Sequence, residues 1–136
     1  MKLGIQSEPL LPKEEDMSAA ALSLLVFGIY LIVNGLGFSF IPNTLLGLLG
    51  VPATNEPWIR VLGWVLVVLG YYYVQVARHE IRQFFMWTVY ARISVMAVFL
   101  LFFLLNWAPA TLLIFGGIDL LGAIWTFLAL RATNKG

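Results

Sequence analysis

The stretch from Leu112 to Arg131, LLIFGGIDLLGAIWTFLALR, constrains the fold more than any other. It is long and apolar enough to cross a bilayer, yet it carries an acid, Asp119, near its centre. An ionisable side chain at mid-membrane costs on the order of 3 kcal/mol on insertion scales, so Asp119 has to face protein or water. At helical spacing Gly116, Gly122, Ala123 and Thr126 share or flank its face, a stripe that lets another helix approach closely. Leu121, Trp125 and Leu128 lie opposite, where lipid would be. Such a segment is satisfied only inside a bundle.

The rest of the chain supplies that bundle. Of its 136 residues 61% are hydrophobic, against about 45–50% in an ordinary globular domain. Apolar segments run from about Ala19 to Phe40, Trp58 to Val76, Phe84 to Leu105 and Ala110 to Arg131. The expected fold class is therefore all-α: a four-span transmembrane helix bundle, up-down-up-down, as one membrane domain over 19–131. A polar tail, 1–18, with Pro9, Pro12 and the acidic run Glu14-Glu15-Asp16, precedes it, and a short tail, 132–136, follows. The first apolar segment comes late, follows acidic residues and is long enough to span, so it reads as a retained helix rather than a cleaved signal peptide.

Composition also removes several function classes. A formal charge of +1 with scattered basic residues gives no nucleic-acid surface. The absence of cysteine removes thiolate ligands, Cys nucleophiles and dithiol redox motifs, and a single histidine, His79, cannot supply a bis-histidine haem. No metal site and no catalytic group is expected.

Each span has an inner face. In the first, Ser23, Tyr30, Asn34 and Gly37 recur on one side, with Leu25, Ile29, Ile32 and Leu36 away from it. The connection Ile41–Pro57 contains an apolar run, Leu45–Leu49, too brief to span. It reads as a turn of interfacial helix begun at Pro42-Asn43 and ended by Gly50, a cover or lid for one bundle end. In the second span Arg60, Gly63, Val67, Gly70 and Val74 share a face, with Arg60 turned inward or snorkelling at the outer mouth. Tyr71, Tyr72 and Tyr73 surround its other end, at least one of them inward and the others in the interfacial belt, where most of the tryptophans also belong. In the third, Thr88, Arg92, Val95 and Phe99 line up. The turn Asn106–Pro109 makes the third and fourth helices antiparallel neighbours. At about 1.5 Å per residue Arg92 lies roughly 12 Å and Asp119 roughly 18 Å from the same surface. The expectation is an Arg92–Asp119 ion pair, or a hydrogen-bonded link through Tyr30 or Asn34. Such a cluster either floors a pocket or serves as a structural pair that decides which helices meet.

Basic residues give the orientation. Lys2, Lys13, Arg78, Arg82, Arg131 and Lys135 collect on one side of a four-span chain, and the opposite connections carry no Lys or Arg, so both termini are expected in the cytoplasm.

PWIRVLG at Pro57–Gly63, the Gly70-Tyr71-Tyr72-Tyr73 exit, Tyr90-Ala91-Arg92 and IDLLGAIWT at Ile118–Thr126 together resemble the small bacterial DoxX-like four-helix membrane proteins, especially the BphX-like proteins linked to aromatic-degradation gene clusters. The resemblance covers all four spans and omits the N-terminal tail. Arg60, Tyr71, Arg92 and Asp119 are the residues that match it. It implies a bacterial inner-membrane protein that accommodates a small hydrophobic molecule or assists a membrane redox or degradation pathway. Two alternatives stand beside that expectation. In a subunit of a quinone-linked oxidoreductase, quinone would be the cofactor, with Arg92 and a tyrosine on its carbonyls. A purely structural partner would form a homo-oligomer or join a membrane enzyme.

Overall fold

Ser18 opens the first helix. In the computed structural model, which describes residues 17–135, its backbone is extended (φ −64, ψ 159) and its Oγ accepts a hydrogen bond from Ala21 N at 3.1 Å, an N-cap for α1, Ala19–Phe40. Then follow α2, Pro42–Leu48, begun by a proline in its first turn; α3, Trp58–Arg78; α4, Arg82–Leu104; and α5, Leu112–Lys135. Among the described residues there is no strand, and four helices, α1, α3, α4 and α5, are long and apolar enough to cross a membrane. The acidic run and Lys2 and Lys13 of the expected N-terminal tail lie outside the described residues, as does Gly136.

Three of these helices stop in the same way. After α2 the N–H of Val51 reaches back to Leu46 O (2.9 Å) and that of Gly50 to Gly47 O (3.2 Å). After α3, Ile81 reaches Val76 (3.2 Å) and Glu80 reaches Ala77 (3.2 Å); after α4, Trp107 reaches Phe102 (2.9 Å) and Asn106 reaches Phe103 (3.0 Å). This is the Schellman arrangement, which satisfies terminal carbonyls and needs one left-handed residue. Gly50 (φ 72) and Asn106 (φ 63) are the residue types suited to it; Glu80 (φ 53) is not, and it earns the position by another contact. Its Oε1 and Oε2 accept from Ser18 Oγ (2.8 Å) and Ser18 N (3.0 Å), setting a carboxylate on the N-terminus of α1.

The helix ends differ slightly from those expected. α3 continues through Arg78, and α4 starts at Arg82, because the intervening turn is so tight. α5 begins at Leu112 instead of Ala110, since Pro109, Ala110 and Thr111 form i to i+3 turns onto Leu112, Leu113 and Ile114 before α-helical geometry sets in.

α1 is the hub. It packs most extensively on α3, then on α5, while α3 and α4 touch little. The α1–α3 pair runs antiparallel, with Gly28 against Gly70 and Gly35 against Gly63. The same register places Ala21 opposite Ala77, both fully buried. Small residues thus recur at every seventh position on both helices, and the backbones nearly touch: a Cβ at Gly35 would lie 2.5 Å from Gly63 O, and one at Gly63 would lie 2.6 Å from Gly35 O. α4 and α5 are also antiparallel, Met96 meeting Gly116 and Arg92 meeting Gly122. α2 folds across one end of the bundle, burying Leu46 against Phe38 and Ile59. Leu25, expected to face away, is buried, because α1 is covered by helices on more than one side.

Candidate functional site

The two charged groups that mark the interior do not meet. Arg92 is 2% exposed; its Nη2 donates to Thr88 Oγ1 (3.0 Å) and Thr126 Oγ1 (2.9 Å), and its Nε donates to Thr88 O (3.2 Å). Its Nη1 is buried with no hydrogen-bond partner among the described residues. The guanidinium lies over the rings of Phe27 (5.0 Å to the centroid) and Tyr73 (6.0 Å), within range of cation–π attraction. Gly122 makes room for it, since a Cβ there would come within 3.0 Å of Nη1. Ser23 completes the cluster through a 2.6 Å contact between its Oγ and Thr126 Oγ1, and it donates to Ala20 O at 2.6 Å. One polar group from each of α1, α4 and α5 thereby ties the three helices together.

The expected Arg92–Asp119 ion pair is therefore corrected: neither it nor a hydrogen-bonded link through Tyr30 or Asn34 forms among the described residues. The cause is side-chain direction. A helical Cα–Cβ bond tilts toward the helix N-terminus. Arg92 accordingly leans back along α4 toward Thr88, whose level on antiparallel α5 is Thr126, while Asp119 leans along α5 toward Phe115. Each departs from the other, although they remain within electrostatic reach.

Asp119 faces a different space. A cavity of about 260 Å³ opens among the four long helices, lined by Tyr30, Leu31, Asn34 and Phe38 of α1, Leu62 and Leu66 of α3, Phe99 of α4, and Leu112, Phe115 and Asp119 of α5. It exists because α3 and α4 stay apart beyond their connecting turn. Tyr30 and Asn34 are half-buried, and Asn34 Nδ2 donates to Tyr30 O (2.8 Å), leaving the amide oxygen as an acceptor. The Asp119 carboxylate makes no hydrogen bond or ion pair among the described residues. A second hollow of about 280 Å³ lies between α1 and α5 along Phe27, Tyr30, Gly122 and Trp125.

Three of the six expected site residues, Tyr30, Asn34 and Asp119, therefore share one cavity. The other three are elsewhere. Arg92 lies outside that lining, with Nε and Nη2 donating to Thr88 and Thr126. Of the two expectations for Arg60, inward or snorkelling, the side chain is exposed: its Nη1 donates to Ser39 O (2.7 Å) while Ser39 Oγ donates to Arg60 O (3.2 Å), so it closes the C-terminal end of α1 with a cation that the last turn of α1 lacks. Tyr71 is 54% exposed and packs on Tyr72; the inward tyrosine is Tyr73, 6% exposed, against Phe27 and Phe84. Its signal was available, since Tyr73 sits between Gly70 and Ala77 on the face those small residues mark. Thr88 and Thr126, which hold Arg92, were visible as face residues but not as its partners.

Among the described residues no group of His, Asp and Glu is placed to hold a metal ion. No family model matches this chain, and no curated protein or solved structure matches it.

Proposed function

We propose that the chain is a DoxX-like protein of a bacterial cytoplasmic membrane that crosses it up-down-up-down with both termini inside and holds a small, largely apolar molecule in the cavity beside Asp119. The orientation is supported by Arg78, Arg82 and Arg131 at one end, while the connections at the other, 41–57 and 105–111, carry no Lys or Arg. The observation that carries the binding reading is the cavity itself: an apolar chamber among four helices, with polar groups converging from α1 and α5. A mid-membrane carboxylate is costly, and none of the described residues offsets the cost at Asp119 through a hydrogen bond. The Arg92 cluster, by contrast, is complete enough to serve helix association.

The test is thermal unfolding in detergent with and without extracted bacterial lipids and quinones, for the wild type and for Leu112→Trp, which fills the cavity. Wild type should be stabilised, by about 2.7 kcal/mol at a hundredfold excess over Kd, and the filled variant should not respond. Equal stabilisation of both would place the effect outside the cavity and end this reading.

A further inference from the structure

We infer that the cavity takes a lipophilic amine, its ammonium head against the Asp119 carboxylate and its apolar body among Leu62, Leu66, Phe99 and Phe115. The inference rests on the binding reading above and adds the chemical class. Asp119 is the one formally charged residue in the lining, so the wall has a negative sign. Among the described residues its carboxylate has no donor to accept from, and a donor brought by the ligand supplies one. Asn34 also offers its amide oxygen as an acceptor; one of its two amide N–H groups is held by Tyr30 O, and the other stays with the Tyr30 hydroxyl as a neutral donor in the lining. A carboxylate ligand would meet a like charge at Asp119.

The apolar lining adds to the match. Tyr30, Phe38, Phe99 and Phe115 bring aromatic rings to the chamber, and ring faces attract cations in a desolvated site. Arg92, the nearby competing cation, is held by Thr88 and Thr126 and leans away, so an ammonium group entering beside Asp119 does not displace it. At about 260 Å³ the chamber is below the usual range for drug-sized ligands, which suits an amine of one or two rings.

The test compares three probes of nearly equal shape, 1-naphthylmethylamine, 1-naphthalenemethanol and 1-naphthoate, binding the full chain in nanodiscs at neutral pH, read by naphthyl fluorescence. The amine should bind about tenfold more tightly than the alcohol, with the carboxylate weakest. Asp119→Asn should remove that advantage, bringing the amine to the affinity of the alcohol. An alcohol that binds as tightly as the amine, or an amine indifferent to Asp119→Asn, overturns the amine assignment even where Leu112→Trp abolishes binding of all three and the cavity reading stands. Binding of all three probes unaffected by Leu112→Trp removes the cavity reading itself. Should Asp119→Asn fail to fold, Phe115→Leu carries the test: the amine should weaken about threefold and the alcohol should not, and an equal loss for both overturns the assignment.

Discussion

α1 is held on one side by backbone and on the other by side-chain hydrogen bonds. Toward α3 it presents Ala21, Gly28 and Gly35, and at the glycines main chain meets main chain, with Ile32, Val67 and Val74 packed beside them. Toward α4 and α5 it presents Ser23 and Phe27, which join Thr126, Thr88 and Arg92 in a buried polar cluster. In lipid the hydrophobic effect does not drive helices together, and these are the two remaining means: dispersion at close range, and polar groups with nowhere else to bond. The difference lies in tolerance. The glycine contact leaves no space for a single added carbon, whereas the polar cluster has redundant bonds and one donor, Arg92 Nη1, without a partner among the described residues.

The comparison breaks first at Gly35. Gly35→Ala should destabilise by about 3 kcal/mol, the upper end for overpacking, because the new Cβ meets the Gly63 carbonyl rather than a movable side chain. Gly47→Ala, whose Cβ meets nothing within 4 Å, is its control and should be neutral or gain up to about 1 kcal/mol from helix propensity. Thermal unfolding in detergent measures both, and equal effects would show that the α1–α3 contact is not tight.

The polar side should give less. Thr126→Val keeps the shape and removes the bonds to Ser23 and Arg92, at about 1 kcal/mol, because Arg92 keeps Thr88 and Ser23 keeps Ala20 O. Combined with Ser23→Ala in a double-mutant cycle, it isolates the Ser23–Thr126 term. A loss as large as that of Gly35→Ala would reverse the ranking of the two sides. The smallest effect belongs to the half-buried end of the α1–α3 pair, where Glu80→Ala should cost about 0.5 kcal/mol and speed hydrogen exchange at the first amides of α1. Unchanged exchange there would mean that Glu80 contributes nothing to the cap.

These results bear on what the chain discloses before it folds. The four apolar runs, the Gly63–Gly70 face and the small-residue stripe around Asp119 were legible because hydropathy and helical spacing are local properties. The pairing of Ala21, Gly28 and Gly35 with Ala77, Gly70 and Gly63 was written in the same seven-residue spacing, but only the register between two helices turns it into a contact. Sequence position gives the depth of the Arg92 and Asp119 Cα atoms, and depth omits the N-terminal tilt that separates their side chains. Arg60 could not be read as a cap for α1, since its partner, Ser39 O, belongs to another helix. The cavity has no sequence pattern at all: it is a space left where α3 and α4 do not touch.

The Glu80 clamp on Ser18 also has a timetable. The two residues are 62 positions apart, and the chain is made from its N-terminal side. When Ser18 leaves the ribosome its N–H and hydroxyl have no carboxylate to bond, and they wait until α3 and the turn after it have been synthesised. By then the partner helix for Gly28 and Gly35 is complete as well. Closure of the clamp therefore requires the complete α1–α3 hairpin, and residues 18–80 carry both partners of that contact.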